Sequence, residues 1–534
     1  MSSDRAGMTL EQQIGQLFVV GFQEPSASAE IIDLIQRYHV GGVIFFTRNI
    51  RDAQQVSQLT RSLQAAAKEA GHRYPLLISI DQENGMVQRL GQGTTAFPGN
   101  MALGAIGSEQ IAQDVAQATG EELKALGINM NLAPDADVNN NPANPVIGVR
   151  SFGEDPQQVA RLTAAAVKGY NAAGVISTLK HFPGHGDTAT DSHRTLPIIP
   201  HTLERLQAVE LVPFQSGIAA GAPVVMTAHV SLPAITGDDA LPATISPALV
   251  QGLLRAQLGY AGVIITDCLE MDAIAAGVGT AQGAVLALKA GNDLILVSHR
   301  YDRQRSSIEA ALAAARAGEL SAEVIEQAAA RVLRLKERFL SWQDALPAAP
   351  ADWAGSEAHQ QLANRAYNLS TTVVRNEDAL LPLQLEEGDP ILLLAPHAQT
   401  FSQASDRVYH DAFLLETSRQ RHSTTSLLAI SAQPTDAERQ EIQHAARTAR
   451  VCIMLTMNAN LDRSQVELMQ ALLQSGHQTI GIAVGNPYDL SAFPQLRTYL
   501  VTYEYTRPAL AAAVRVLFGE IQPCGRLPVT LPGL

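Results

Sequence analysis

The first 340 residues alternate between short apolar runs and longer amphipathic stretches. The stretches between the runs have helix-like patterns, for example at 52–70, 108–126, 156–173 and 202–220. Uninterrupted apolar runs are typical of parallel strands that are covered on both faces, because neither row of side chains meets water. Eight such runs occur, at 17–22, 42–46, 76–80, 128–132, 175–179, 224–227, 263–266 and 294–297.

Eight strand–helix units in this length predict an α/β fold with a (β/α)8 TIM-type barrel over residues 1–340. A doubly wound open sheet is the alternative, but its glycine-rich dinucleotide turn is missing after the first run. Residues 341–359 are rich in Pro and Ala without a clear period, which predicts a linker. Residues 360–534 are predicted to form a smaller α/β sandwich domain, with apolar runs at 391–395, 452–456, 480–484 and 499–502.

Composition and charge limit the classes of binding partner and the cellular compartment that we expect for this chain. The chain of 534 residues has a formal net charge of −14, which argues against nucleic acid or an anionic membrane as the partner. No apolar stretch of about 20 residues occurs, so no membrane span is expected. Cys268, Cys452 and Cys524 lie far apart, and the polar N-terminus lacks a signal-like run, which together favour a cytoplasmic protein. A monomer is compatible with these features, which leave the oligomeric state open.

Polar side chains repeatedly follow the apolar runs. Asp81 follows the third run, Lys180 and His181 the fifth, His229 the sixth and Asp267 the seventh. In a barrel the carboxyl ends of the strands converge on one face, where active sites lie. The barrel prediction therefore gathers residues that are distant in sequence into one pocket and indicates an enzyme.

The densest group of such side chains lies in residues 180–197, KHFPGHGDTATDSHRTLP. Alternate residues of an extended chain point the same way, so Asp191 can steer the ring of His193. A histidine held in this way can transfer protons near neutral pH, although it could equally be a loop residue bonded to a backbone carbonyl. Lys180 and His181 could donate hydrogen bonds to a substrate.

Asp267 ends a predicted strand, and its pattern leaves several roles open. The carboxylate could be a nucleophile, a general base, an anchor for a sugar or a helix N-cap. The neighbouring Cys268 is interpreted as a small buried residue and not as a catalytic thiol.

A metal site is the main chemical alternative, because His181, His185, Asp187, Asp191 and His193 are all possible ligands. Pro183 and Gly184 prevent His181 and His185 from sharing a helix face, and the helical HExxH spacing is absent. No nucleotide-binding loop is present either. We therefore expect no metal and no cofactor, and a pocket rich in donors and acceptors that suits a carbohydrate.

Four segments, 81–89, 150–156, 180–197 and 262–271, resemble glycoside hydrolase family 3, and in particular its bacterial β-N-acetylglucosaminidase branch. The resemblance extends over essentially the whole chain. It implies retaining catalysis in which Asp267 is the nucleophile and His193, partnered by Asp191, is the acid/base. It also implies that N-acetylglucosamine is held by Asp81, Arg89, Arg150, Lys180 and His181.

The resemblance implies a substrate as well: terminal β-linked N-acetylglucosamine in muropeptides or chitooligosaccharides, and hence a role in peptidoglycan turnover. Phosphate could replace water as the acceptor, which would make the enzyme a phosphorylase. A metal-dependent barrel hydrolase and a non-catalytic sugar-binding sensor are the remaining alternatives. The chain departs from the family pattern at Asn84, Met86 and Cys268, which stand where Gly, Arg and a second acid are usual.

Overall fold

The computed structural model describes residues 7–190, 192, 195–346, 354–396 and 412–534. Its first sheet has eight parallel strands in the order β7-β6-β5-β4-β3-β2-β1-β8. A parallel bridge between Ile265 and Leu294 joins β7 to the chain just before β8, so the ring closes. The predicted barrel is confirmed. The strands are β1 (Phe18–Val20), β2 (Gly42–Phe45), β3 (Leu77–Ile80), β4 (Met130–Asn131), β5 (Ile176–Phe182), β6 (Val224–Thr227), β7 (Val263–Thr266) and β8 (Ile295–Val297).

Helices surround this ring and cover its outer face. They are α1 (Leu10–Gly15), α2 (Ala29–Gln36), α3 (Ala53–Glu69), α4 (Asn100–Ile106), α5 (Glu109–Ala125), α6 (Pro156–Ala173), α7 (Leu203–Ala208), α8 (Leu211–Ala219), α9 (Pro233–Thr236), α10 (Asp272–Ala275), α11 (Thr280–Ala290), α12 (Tyr301–Arg316), α13 (Ala322–Phe339) and α14 (Trp342–Ala345). Short 3₁₀ turns occur at Thr47–Asn49, Gly148–Arg150 and Ala243–Ile245, and Ala248–Gln257 forms a π-type helix. No described helix of the chain combines the length and the apolarity needed to cross a membrane.

The unit α6–β5 shows how local signals position the residues of the densest polar segment. Asp155 caps α6 by accepting a hydrogen bond from the Gln157 backbone N–H, and proline occupies the first helical position. Gly174 ends the helix in the left-handed conformation, with φ of 74°. Strand β5 then begins at once and, unlike the apolar run at 175–179, continues through Phe182. Lys180 and His181 therefore lie at the end of the strand itself, where the barrel wall fixes their direction.

The second sheet has six strands in the order β11-β10-β12-β13-β14-β9, and β9 is antiparallel to β14. The strands are β9 (Thr372–Asn376), β10 (Ile391–Pro396), β11 (Thr425–Ile430), β12 (Val451–Thr456), β13 (Thr479–Ala483) and β14 (Thr498–Val501). The helices are α15 (Glu357–Ser370), α16 (Ala412–Arg419), α17 (Asp436–Thr448), α18 (Arg463–Gln474) and α19 (Arg507–Leu517), with 3₁₀ segments at Ala459–Leu461 and Pro487–Ala492. This arrangement confirms the predicted α/β sandwich.

Apolar and polar contacts join the sandwich to the barrel. Met86, Met101 and Val149 of the barrel belong to the same buried cluster as the strands of the second sheet. Glu504, which follows β14, accepts a hydrogen bond from the Gly99 backbone N–H at 3.0 Å. The domain boundaries at 340 and 360 stay a prediction, and residues 347–353 of the predicted linker lie outside the described residues.

Candidate active site

A pocket of about 260 Å³ opens at the carboxyl ends of the barrel strands, and we call it the mouth pocket. Its lining draws on segments that are far apart in sequence, from the end of β2 to the loop after β8. Six of the predicted site residues line it together: Asp81, Arg89, Arg150, Lys180, His181 and Asp267. Of the polar side chains that directly follow apolar runs, Asp81, Lys180, His181 and Asp267 are thus brought to one place, whereas His229 does not line the pocket.

One wall of the mouth pocket is a buried network of ion pairs. The Lys180 Nζ lies 2.7 Å from Asp81 Oδ1 and 2.6 Å from Glu83 Oε1. Glu83 also accepts two hydrogen bonds from Arg150, from Nε and from Nη2, each of 2.8 Å. Arg89 Nη2 approaches Asp81 at 3.8 Å. These contacts fix the donors and acceptors in place before any ligand arrives.

The charges of this wall stabilise one another. Burial alone would raise the pKa of Glu83, but the Arg150 guanidinium and the Lys180 ammonium hold that pKa far below its usual range. Burial opposes the charged form of Lys180, yet Asp81 and Glu83 raise its pKa above the ordinary value. Both groups are therefore ionised at neutral pH. Glu83 is the centre of the network, although sequence reasoning assigned it no role.

A second pair of carboxylates, Asp135 and Asp137, supports His181 from behind. Asp137 Oδ2 lies 2.7 Å from His181 Nδ1, and Asp137 Oδ1 accepts the His185 backbone N–H at 2.6 Å. The His181 ring thereby presents Nε2 to Arg150 Nη2 at 3.3 Å. Burial opposes the ionisation of both acids, but His181 lowers the pKa of Asp137, whereas burial and the neighbouring Asp137 raise that of Asp135 well above its usual value.

Two groups in the described chain have the spacing of a metal site. Asp135, Asp137 and His181 place their ligand atoms within 4.8 Å of one another, as do Asp187, His201 and Glu210. Protein donors already engage most of these oxygens: Asp137 binds His181, His201 Nε2 lies 2.7 Å from Asp187, and Arg205 binds Glu210 at 2.7 Å. These contacts account for the Asp187 group as a hydrogen-bonded network, whereas in the other group Asp135 Oδ2 has no hydrogen-bond partner among the described residues.

Asp267 lies where β7 ends, on the side of the mouth pocket near Cys268 and Met271. It is partly exposed, and its Oδ1 accepts the Cys268 backbone N–H at 2.7 Å. The next helix, α10, is capped by Met271, so Asp267 is not a helix N-cap. Asp267 thus presents a partly exposed carboxylate at a strand end, on the lining of the mouth pocket.

Cys268 and His229 have structural roles. Ser298 Oγ donates to the Cys268 Sγ at 2.7 Å, and burial raises the pKa of the thiol to about 12. Because the thiolate is the reactive form, this cysteine is unsuited to nucleophilic catalysis at neutral pH. His229 is fully buried between Thr244 Oγ1, at 2.7 Å, and the Cys268 carbonyl, at 2.9 Å.

The predicted acid/base pair, His193 and Asp191, lies outside the described residues. Ser192 between them is described, lines the mouth pocket and is 2% exposed. Its Oγ lies 2.9 Å from His185 Nε2, and His185 Nδ1 lies 2.9 Å from Thr188 Oγ1. Burial lowers the pKa of His185 to about 4, so this ring is neutral and serves as a hydrogen-bonding partner of the loop.

Sequence reasoning also missed Asp135 and Asp137. A weak signal was present, because both lie in the short segment after the apolar run at 128–132, although neither follows that run directly. Phe46 and His299, which line the mouth pocket with ring centroids 5.2 Å apart, had no comparable signal. Their contact joins the loops after β2 and β8, which no local pattern connects.

Known family models and a similar protein together match nearly the whole chain. Residues 9–335 match the family model described as the glycosyl hydrolase family 3 N terminal domain, and residues 371–533 match the corresponding C-terminal domain. Beta-hexosaminidase A of Pseudoalteromonas piscicida is 34% identical over 98% of this chain and 97% of its own length.

Two solved structures are similar as well. The glycoside hydrolase family 3 beta-N-acetylglucosaminidase of Paenibacillus sp. str. FPU-7 is 43% identical, with a TM-score of 0.92 over 98% of this chain and 99% of that one. A fungal multi-domain GH3 beta-N-acetylglucosaminidase is 44% identical, with a TM-score of 0.93 over 98% of this chain and 61% of that longer one.

Proposed function

The chain belongs to glycoside hydrolase family 3, and we propose that this glycoside hydrolase removes terminal β-linked N-acetylglucosamine with retention of configuration. The observation that carries the proposal is the position of Asp267, which faces a wall of preorganised donors and acceptors across one small pocket. The hexosaminidase names of the relatives support the same substrate class.

The proposed reaction has two displacements at the anomeric carbon. Asp267 attacks that carbon and forms a glycosyl ester, while the glycosidic bond breaks and the departing oxygen takes a proton from His193. In the second step His193 takes a proton from water, the water oxygen attacks the same carbon, and the Asp267 carboxylate is released. Two inversions give net retention. The roles of His193 and of its partner Asp191 rest on the family resemblance.

The ion-paired wall is assigned to binding the sugar. Asp81 and Lys180 present a carboxylate and an ammonium within 2.7 Å of each other, a pairing suited to vicinal hydroxyl groups that both donate and accept. Arg150 and Arg89 add N–H donors beside them, and His181 lines the same wall with its Nε2 turned toward Arg150 Nη2. Because ion pairs already fix these groups, binding costs little side-chain entropy.

Muropeptide and chitooligosaccharide fragments are the proposed natural substrates, and turnover of cell-wall fragments in the cytoplasm is the proposed setting. The cysteines support a reducing compartment, because Cys268, Cys452 and Cys524 are all unpaired. Cell fractionation followed by activity measurement tests the location. Product analysis with both substrate classes, run with and without phosphate, distinguishes hydrolysis from phosphorolysis.

The proposal is tested by replacing the nucleophile with its isostere. For Asp267→Asn we expect the turnover of 4-nitrophenyl β-N-acetylglucosaminide to fall by roughly 10³-fold or more. In the shorter variant Asp267→Ala, azide should restore part of the lost activity and yield the α-glycosyl azide, since a small anion can occupy the space that the carboxylate leaves. Asp272→Asn, at an exposed acid of the same segment, is the matched control and should keep wild-type turnover. Equal activities of Asp267→Asn and Asp272→Asn would exclude Asp267 as the nucleophile.

A further inference from the structure

A second cavity lies at the opposite end of the barrel from the mouth pocket. It opens beside the residues that precede β6 and β7, including Pro223 and Tyr260, and is bounded on one side by α13. Its volume is about 350 Å³, which is within the range of about 300–1,000 Å³ for small-molecule sites. Because Arg331, Arg334 and Arg338 of α13 line it, we call it the arginine cavity.

The charges around the arginine cavity are out of balance. Asp293, beneath it, is fully buried and binds two guanidinium groups: Arg331 through a 2.7 Å contact from Nε to Oδ1, and Arg255 through Oδ2. One carboxylate thus serves two cations. The described residues that line the cavity include no acid at all.

The two outer arginines have no acid to neutralise them. Arg334 and Arg338 are exposed, and neither has an ion-pair partner among the residues that the structure describes. The Arg338 guanidinium lies over the Phe339 ring, 4.9 Å from its centroid. With Arg331 they occupy positions i, i+3 and i+7 of one helix, so all three guanidinium groups emerge on the same face. Such a concentration of positive charge is notable in a chain whose net charge is −14.

We propose that the arginine cavity binds a small organic anion whose phosphate or carboxylate group contacts these arginines. A guanidinium is planar and offers paired N–H donors that match the oxygens of both anions. Arg331, fixed by Asp293, provides the immobile part of the site, and the exposed Arg334 and Arg338 converge on the ligand from the helix. Apolar surface from Pro223, Tyr260 and Leu335 lies beside the guanidinium groups and fits an uncharged body attached to the anion.

The site is separate from the proposed sugar-cleaving reaction, and binding alone tests it. Isothermal titration of the full chain with phenyl phosphate, benzoate and inorganic phosphate compares the two anion types and the contribution of the apolar body. Benzyl alcohol serves as the uncharged reference. We expect phenyl phosphate to bind more tightly than inorganic phosphate, and benzyl alcohol to give no heat of binding.

Variants then locate the site. Arg334→Ala/Arg338→Ala should weaken phenyl phosphate binding by about tenfold or more, since two charge-assisted contacts are lost. Arg305→Ala/Arg316→Ala removes the same charge from exposed arginines of α12 and should bind as the wild type does. Thermal unfolding of both variants establishes that they are folded. The proposal is overturned if no anion binds at millimolar concentration, or if the two double variants bind equally well.

Discussion

Lys336 is a fully buried lysine near the end of α13, and replacing it with methionine is expected to stabilise the protein. Its Nζ donates to Gln16 Oε1 at 2.7 Å, and no acid pairs with it in the described part of the chain. Burial lowers the pKa of Lys336 to about 7. The nearby His72 is neutral, because burial lowers its pKa to about 4, and burial lowers the pKa of His39 as well. Burial in the folded protein therefore disfavours the charged form of Lys336.

The size and the sign of the effect follow from this pKa. A fall from 10.5 to about 7 corresponds to roughly 5 kcal/mol of destabilisation at pH below 7. In Lys336→Met the loss of the hydrogen bond to Gln16 Oε1 costs about 1–3 kcal/mol. Below pH 7 the free energy of unfolding of the variant should therefore exceed that of the wild type by about 2 kcal/mol or more. Between pH 7 and 10.5 the unfolded chain binds a proton that the folded chain does not. The wild type therefore becomes more stable as the pH rises, and the difference in free energy of unfolding between the variant and the wild type falls by about 1.4 kcal/mol per pH unit.

Urea unfolding of the wild type and the variant at half-unit steps from pH 6 to 9.5 measures this difference. Lys289→Met, which removes a partly exposed lysine that contacts Glu319 at 3.6 Å, is the control and should show a small difference that does not vary with pH. A Lys336→Met protein that is less stable than the wild type at pH 6, or a stability difference independent of pH, would refute the reasoning.

Three further changes test the remaining buried groups. Glu83→Gln leaves Arg150 and Lys180 without their shared carboxylate, so kcat/KM for an aryl N-acetylglucosaminide should fall by roughly 10²-fold, with a lower unfolding temperature. Cys268→Ala should keep activity within a few-fold, and iodoacetamide at pH 8 should label the exposed Cys524 without inactivating the enzyme, because burial raises the Cys268 pKa to about 12. Burial raises the pKa of Glu504 to about 7, so between pH 4.5 and 7 the folded protein holds a proton that the unfolded chain has lost, and the wild type loses stability as the pH rises. The stability of Glu504→Gln relative to the wild type should therefore increase by about 1.4 kcal/mol per pH unit over that window, as measured by parallel urea titrations.

The barrel could be predicted because its strands are buried on both faces. Each apolar run is a local signal, and eight of them fix the architecture. Strands β9 and β11 gave no such signal, because they lie at the edges of the second sheet and their side chains are partly exposed. An edge strand needs apolar residues on one face alone, so its sequence resembles that of a loop.

In the mouth pocket, too, some residues could be predicted from their positions in the sequence, but the contacts between them could not. Asp81 and Lys180 were predicted from their positions after strands, but their 2.7 Å contact joins residues 99 positions apart. Likewise, Glu83 follows no strand directly, and its importance arises from Lys180 at the end of β5 and from Arg150 in the 3₁₀ turn at Gly148–Arg150. Pairings between loops depend on how the barrel closes, and no local pattern records them.

The pairing of charges in the ion-paired wall also bears on the proposed role of Asp267. Three carboxylates, Asp81, Glu83 and Asp137, stand against three cations, Arg89, Arg150 and Lys180, and the raised pKa of Asp135 keeps a proton on that fourth acid. A wall whose charges pair in this way can hold hydroxyl groups through charged side chains while adding little net charge to the pocket. A net positive wall would oppose the oxocarbenium-like charge that develops there, and a net negative wall would compete with Asp267 for it. In the proposed mechanism, the buried ion pairs thus let the pocket bind sugar through charged groups while Asp267, which lines the same pocket, attacks the anomeric carbon.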